Sequence, residues 1–311
     1  MAQHVIIGSG SIGTNVARSL AGRGESVLIV TRRGSGPEHP LIERVAADAA
    51  DPARLTELSR GARVIYHCAN PPSYTSWERD LPPLQTAAIT AAKANDAVLA
   101  LTGSLYAYGE QPGGRMNEHT PLAATGRKGR LRKRLWEQAR TAGIRTVEVR
   151  GSDYIGGNAV SLYRLIIAPA MEKGRPAVIP ADLDVPHTFT YNGDMVKALV
   201  TLAEDERAWG RGWHVPSPPA VTIRELARRY AAAAGVPPVR LIQVPRLVLS
   251  VAGVFVPMAR EMAEMAYQNY APFLMDATET ARTFGLTATD LDTAIREQVT
   301  TPPTEIATPT R

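Results

Sequence analysis

The chain opens on His4-Val-Ile-Ile-Gly8-Ser9-Gly10-Ser11-Ile12-Gly13 and runs through an alanine-containing segment to Val27-Leu-Ile-Val30-Thr31-Arg32-Arg33. Val5-Ile6-Ile7 is short, β-branched and free of polar residues, which suits a strand buried on both faces of a parallel sheet. Three glycines follow at Gly-x-Gly-x-x-Gly spacing, each with its own task. Gly8 permits a sharp turn, Gly10 lets the backbone approach a pyrophosphate, and Gly13 lets the next helix pack close to the strand. That helix, predicted from about Ser11 to Ala21, aims its first free amides at the phosphates. Ser9, Ser11 and Ile12 therefore join the glycines as cofactor-contacting positions. Val27 to Val30 is the second strand. A glycine triplet alone is a weak signal; between a strand and a helix, in a unit of βαβ length, it reads as a dinucleotide site.

The end of the second strand selects the dinucleotide. NAD sites place an acid there for the ribose 2′-hydroxyl; this chain has Thr31, Arg32 and Arg33 instead. Guanidinium forks match a 2′-phosphate, so the expected cofactor is NADP(H) rather than NAD(H).

At 311 residues, 44% of them hydrophobic, the chain can bury a large core. The net charge is +5, and six basic residues crowd into Arg127–Arg134. No aromatic interleaving or nucleic-acid module accompanies them, so no nucleic-acid partner is expected. The single cysteine, Cys68, excludes an intramolecular disulfide and, inside Val64–Ala69, reads as a small buried hydrophobe. No apolar run is long enough to span a bilayer, and no secretory leader pattern opens the chain. The expectation is a cytoplasmic enzyme with neither membrane nor metal partner, a monomer or a homodimer, acting on a small carbonyl compound.

Strand and helix patterns alternate through the first half, as in a doubly wound α/β sheet of Rossmann type. Strands are predicted at Glu43–Ala47, Ala62–Cys68, Ala97–Leu101 and Arg145–Val149, with helices over Pro52–Leu58, Trp77–Ala94 and Lys128–Ala142. Residues 1–150 then form the NADP-binding domain, with later returns near 185–215. Residues 151–299 form a smaller, mostly helical substrate-binding region, dense in proline. Thr222-Ile-Arg-Glu225 is a capping box, Pro245–Val256 an apolar helix, and Asp276 and Asp290 each start a short helix. Met258–Tyr270 holds three methionines, Met258, Met262 and Met265, and fits either a pocket lid or core packing. The proline-rich tail, 300–311, is expected to be disordered.

Five stretches in one order resemble the extended and atypical short-chain dehydrogenase/reductases, the superfamily that includes the NAD-dependent epimerase/dehydratases. They are the glycine turn, Ala47-Asp48, His67-Cys68-Ala69-Asn70, Gly103-Ser104-Leu105-Tyr106-Ala107-Tyr108-Gly109, and Thr188–Asp194. The resemblance implies that Asp48 and Ala49 contact the adenine and that Cys68, Ala69 and Asn70 line the cofactor. Ser152 and Tyr154 would border the nicotinamide. Ser104 falls on the family's catalytic serine, whose hydroxyl polarises a substrate carbonyl. The family's Tyr-x-x-x-Lys, counted back from Glu137, falls on Gly129 and Lys133. The lysine is kept for cofactor and catalysis while the phenol is absent, leaving open space at Gly129. A shift along the helix makes Lys128 the relevant lysine, again without its tyrosine. Tyr106 is a replacement acid, on the side of Ser104 if the chain stays extended; Tyr154 and His187 are others. Asp194 reads as a cap or loop tie.

His187 stands where sugar-nucleotide enzymes of this superfamily carry an arginine for the diphosphate. Its presence points instead to an apolar or aromatic carbonyl substrate, contacted by Pro71, Tyr106, Tyr154, His187, Met262 and Met265. The missing tyrosine is similar to that of ketoreductases that tailor aromatic polyketide antibiotics, such as the simocyclinone ketoreductase. The resemblance thus implies an NADP(H)-dependent ketoreductase. Two other readings stand beside it: a non-catalytic NADP(H)-binding sensor or scaffold, and a sugar-nucleotide epimerase or dehydratase, against which the absent tyrosine and arginine count.

Overall fold

In the computed structural model, which describes residues 2–71 and 73–302, the apolar runs pair into one seven-stranded parallel sheet. Its strands are β1 (His4–Ile7), β2 (Val27–Thr31), β3 (Ile42–Ala46), β4 (Val64–His67), β5 (Val98–Ser104), β6 (Thr146–Gly151) and β7 (Gly212–His214). Their order is β3-β2-β1-β4-β5-β6-β7. The order reverses between β1 and β4, and in such sheets ligands bind outside the strand ends at that point. Strand β5 runs past the predicted Leu101 because its last residues pair with β6, Gly103 with Arg150 and Ser104 with Gly151. Partner strands, rather than local propensity, set its end.

Helices α1 (Ser11–Gly22) and α5 (Asn192–Glu204) cover one face; α2 (Pro52–Leu58), α3 (Trp77–Ala94) and α4 (Arg127–Arg140) cover the other. Strand β1 feeds both cores, Ile6 packing with Leu20, Ile29 and Leu199, and Val5 and Ile7 with Leu55, Ala88 and Leu99. That two-sided burial is why its sequence shows no polar alternation. Side-chain caps form at Asp51 and Thr222, while the Glu225 carboxylate of the predicted capping box pairs with Arg228 and Arg229, and the helix after Asp276 starts from Ala277 without a side-chain cap. Asp51 accepts the Ala53 and Arg54 amides at 2.9 and 3.1 Å. Thr222 accepts the Glu225 amide at 3.1 Å at the start of α6 (Ile223–Ala234).

The later part of the chain builds a third core, centred on Tyr163 stacked on Tyr230 with ring centroids 3.8 Å apart. Short parallel pairs join Asp153–Ile155 to Phe189–Tyr191, and Ala177–Ile179 to Leu241–Gln243. The apolar helix forms as α7 (Arg246–Phe255), folded back on α8 (Pro257–Glu264). Only Leu249 and Gly253 of α7 are buried, so most of its apolar side chains face outward. Asp290 caps α9 (Leu291–Thr300). Most of the proline-rich tail, 303–311, lies outside the described residues.

A buried polar network sits under the sheet. The Tyr108 hydroxyl lies 2.7 Å from His214 Nε2 and accepts from Arg150 at 2.8 Å, while Arg150 pairs with Glu148. Burial lowers the His214 pKa to about 3; the Asp276 carbonyl on Nδ1 raises it, and Arg150 lowers it further. The ring is therefore neutral in the fold. Between about pH 6.5 and 3 the unfolded chain binds the extra proton, so stability is full above 6.5 and falls as pH drops through this window. The slope from this residue approaches about 1.4 kcal/mol per pH unit. Urea unfolding of His214→Asn between pH 7 and 4 is expected to show a shallower decline than the parent.

Candidate active site

The glycine turn closes against β4. Gly8 adopts φ +94°, and a Cβ there would lie 2.8 Å from the Ala69 Cα. A Cβ on Gly13 would strike the Gly8 carbonyl and sit 3.3 Å from the Cys68 Cβ, so α1 packs this close only through glycine. At Gly10 a Cβ would meet nothing within 4 Å. Gly10 therefore fronts open space at the N-terminus of α1, where an anion is favoured. The Ser9 and Ser35 hydroxyls are 2.9 Å apart, and the Ser35 amide donates to Thr31 Oγ1 at 2.8 Å. This ties the Thr31–Ser35 loop to the turn. Arg32 and Arg33 are exposed on that loop, and neither forms an ion pair among the described residues. Ser35 belongs to no motif and shows its role only once the loop has folded back. Asp48 is exposed and accepts the Ala50 amide at 3.0 Å; Ala49 beside it is buried.

The C-terminal edges of β4, β5 and β6 continue this crevice. Thr102 Oγ1 donates to Cys68 Sγ at 3.6 Å, and burial pushes the thiol up to about 12. Arg132, on α4, donates to Asn70 Oδ1 at 2.8 Å and lies over the Trp77 ring at 4.4 Å. Its Nε is buried without a partner, and burial draws its pKa down. Ser104 ends β5 in register with Gly151, its Oγ buried and unpartnered. The Tyr154 ring folds back over Gly151, where a Cβ would lie 2.9 Å from the phenol oxygen. That hydroxyl is also unpartnered, and burial raises its pKa. Ser152 Oγ is unpartnered too, while its amide donates to Thr190 Oγ1 at 2.9 Å. Buried polar atoms nearly always have partners, so this concentration at one edge marks a place built to hold a polar ligand.

Other expected residues are placed differently. The chain leaves the extended conformation after Ser104, and Leu105–Tyr108 forms a 3₁₀ turn. Tyr106 hydrogen-bonds the Tyr74 hydroxyl at 2.9 Å and stacks on Trp77, making it part of an aromatic wall. Lys133 points away, 40% exposed and 3.9 Å from Glu137, and Arg132 occupies the inward face of α4 instead. Position 129 is not open: a Cβ on Gly129 would strike Ala124 and the Tyr106 carbonyl, so no phenol fits there. Lys128 is buried between Glu261 and Glu264 of α8, 2.9 Å from the latter.

His187 is also buried. Its Nδ1 is 3.1 Å from the Gln268 carbonyl, and its Nε2 is 3.1 Å from Asp153 but misaligned for a hydrogen bond. The ring packs on Phe189 and Phe273. Pro71 accepts the Trp77 indole N–H at 3.3 Å. Asp194 ties Thr289, accepting its amide and hydroxyl at 2.7 Å each. Met265 is buried and Met262 half-buried, and neither lines either of two surface cavities. One, of about 420 Å³, is walled by Gly109–Gly114, Met116 and Phe273 among others. The second, of about 200 Å³, lies between Tyr74, Trp77 and Lys128 on one side and Pro257, Arg260 and Glu261 on the other.

Residues 5–215 match the model of the NAD dependent epimerase/dehydratase family, about two thirds of the chain and the whole glycine-turn sheet through β7. The chain belongs to this family. As an epimerase/dehydratase family member it shares its fold with several solved structures. The Bordetella bronchiseptica enzyme WbmH in complex with NAD+ is 21% identical at a TM-score of 0.76, covering 96% of this chain and 97% of that one. The Bacillus anthracis dTDP-glucose 4,6-dehydratase in complex with NAD is 14% identical at 0.76, covering 96% of each. The Bacillus cereus UDP-glucuronic acid 4-epimerase with UDP-glucuronic acid and NAD is 15% identical at 0.74, covering 95% and 98%. No curated protein matches the chain.

Proposed function

We propose that this epimerase/dehydratase family member is an NADP(H)-dependent ketoreductase acting on a hydrophobic or aromatic ketone. Ser104 Oγ and Tyr154 Oη, buried and unpartnered about the Ser104–Gly151 pair, with the unpartnered Nε of Arg132 on α4, carry the reading. The open space at Gly10 and the free amides of α1 fit a pyrophosphate, with Asp48–Ala49 toward the adenine, Cys68–Asn70 lining the cofactor, and Ser152 and Tyr154 bordering the nicotinamide. A bound nicotinamide supplies the hydride. Ser104 and Arg132 donate hydrogen bonds to the carbonyl oxygen as negative charge develops on it. Tyr154 keeps its proton at neutral pH, because burial raises its pKa, and delivers it to the resulting alkoxide.

The solved structures named above hold NAD, whereas Arg32 and Arg33 favour a 2′-phosphate. Arg32→Asp combined with Arg33→Ala is expected to weaken NADPH binding about 10- to 100-fold, the scale of one or two exposed charge-assisted hydrogen bonds. NADH affinity should stay within a few-fold. Fluorescence titration of both cofactors checks this, and equal losses for the two would assign the arginines to solvent.

The wall of Tyr74, Trp77 and Tyr106, with His187 packed against Phe189 and Phe273, supports an apolar substrate. The relatives that act on sugar nucleotides support a second reading, epimerisation or dehydration. The two differ in stoichiometry: an epimerase or dehydratase returns the hydride to its product, whereas a reductase consumes the cofactor. Absorbance of the reduced cofactor is followed with NADPH and aromatic ketones, and with NAD+ or NADP+ and nucleoside diphosphate sugars. Consumption matched by alcohol supports the ketoreductase. Conversion of a sugar nucleotide with cofactor unchanged supports the second reading, and tight NADPH binding without any turnover supports a sensor.

A further inference from the structure

Seven of the thirteen large hydrophobic side chains exposed among the described residues lie between Leu247 and Met258. Phe255 is 80% exposed and Leu247 74%. Leu247, Val251, Val254 and Phe255 recur at helical spacing and form one stripe along α7, and the exposed Met258 follows at the start of α8. α7 packs chiefly against α8, leaving this stripe without a partner from the rest of the chain. A contiguous apolar surface of this kind marks an interaction site.

Charge identifies the occupant. Residues 226–260 contain five arginines and no acid. Arg246 and Arg260, both exposed, bracket the stripe. The nearest acids in sequence, Glu261 and Glu264, turn inward to Lys128 and Arg127. We propose that the hairpin docks on the surface of an anionic lipid bilayer, its stripe sinking into the headgroup–acyl boundary and its arginines meeting lipid phosphates. A second copy of the chain is a poor occupant. A twofold contact sets a patch against itself, so the exposed Arg246 and Arg260 of both copies would gather at one contact. α7 is ten residues long, about 15 Å, roughly half the hydrocarbon thickness of a bilayer. The contact is therefore peripheral, and no helix among the described residues is long and apolar enough to cross a membrane. It departs from the sequence-based expectation of no membrane partner.

The hairpin's root borders a cavity. Pro257, Arg260 and Glu261 wall the cavity of about 200 Å³ whose other side is Tyr74 and Trp77, next to Tyr106. The docking itself stands independently of the ketoreductase reading.

The full chain is floated with mixed phosphatidylglycerol–phosphatidylcholine vesicles and with phosphatidylcholine vesicles alone. Expected are flotation with the mixed vesicles, weakening as salt is raised, and little with the neutral ones. Leu247→Glu with Phe255→Glu should cut the bound fraction about tenfold or more by burying charge at the boundary. Both side chains are exposed, so the variant keeps its fold, which circular dichroism melting verifies. Absence of flotation with anionic vesicles, or flotation indifferent to the substitutions, overturns the proposal. So does sedimentation showing a dimer that the same substitutions dissociate, without vesicle binding, which would assign the face to a second copy.

Discussion

Turnover of Tyr154→Phe is expected to fall by about 10²- to 10⁴-fold, the range for loss of a positioned general acid, with NADPH affinity little changed. The phenol is placed by the fold: it stands over Gly151, whose strand partner is Ser104, and its O–H is buried with no protein acceptor. Burial raises its pKa, with Arg132 pulling the other way, so the proton is held through the neutral range. Parent turnover should therefore show no alkaline limb from this group below about pH 10, the ordinary tyrosine value. Tyr106→Phe is the control. It removes one hydrogen bond to Tyr74 within a stacked wall, and its effect on turnover should stay below about tenfold, with a loss of stability near 1 kcal/mol. The opposite ranking of the two variants would transfer the donor role to Tyr106.

Arg132→Met should lower turnover about 10²- to 10³-fold, as removal of one preorganised donor to a developing oxyanion does, while raising the melting temperature. Both effects follow from one arrangement. The guanidinium is half-buried, its Nε fully so; it spans from Asn70 to the face of Trp77 and has no carboxylate partner among the described residues. A half-buried charge paired only with an amide and a ring destabilises the resting fold, and a methionine of similar length fills its place without that burden. Arg132→Lys restores a charge but not the planar fork, so partial recovery of turnover is expected. Steady-state kinetics should show the loss mainly in kcat, since the interaction strengthens only as charge builds on the carbonyl oxygen. A structural role alone would lower stability and leave the kcat ratio of the Lys and Met variants near one.

The fold was legible because its signals are local and redundant. Val5–Ile7 and Val27–Val30 are bare of polar residues since both faces of the sheet are covered, and Gly8, Gly10 and Gly13 answer three separate steric demands. The caps at Asp51, Thr222 and Asp290 could be read three residues at a time. The site was less legible because it depends on helix phase. Counting back from Glu137 assigns Gly129 and Lys133, but one residue along a helix is about 100° of rotation, and α4 turns Arg132 inward instead. Close packing of Gly129 on Ala124 and the Tyr106 carbonyl fixes that phase, and it is a tertiary contact no spacing rule contains. Tyr106 was misplaced because Leu105–Tyr108 coils where alternation assumed extension. The exposed stripe on α7 was invisible for a related reason: an apolar helical pattern states what wants cover, not whether the chain supplies it.

The central claim is that hydride leaves the cofactor for good and ends on a substrate carbon. The direct measurement is isotopic: NADPH dideuterated at nicotinamide C4, incubated with the chain and polycyclic aromatic ketones, followed by mass spectrometry of the products. Expected is an alcohol carrying a single deuterium on the former carbonyl carbon, formed in step with NADP+ and lost in Tyr154→Phe and Arg132→Met. In a parallel incubation with catalytic NAD+ or NADP+, epimerisation or dehydration of a nucleoside diphosphate sugar with no net change in the cofactor, and no ketone reduction in the first, would contradict it.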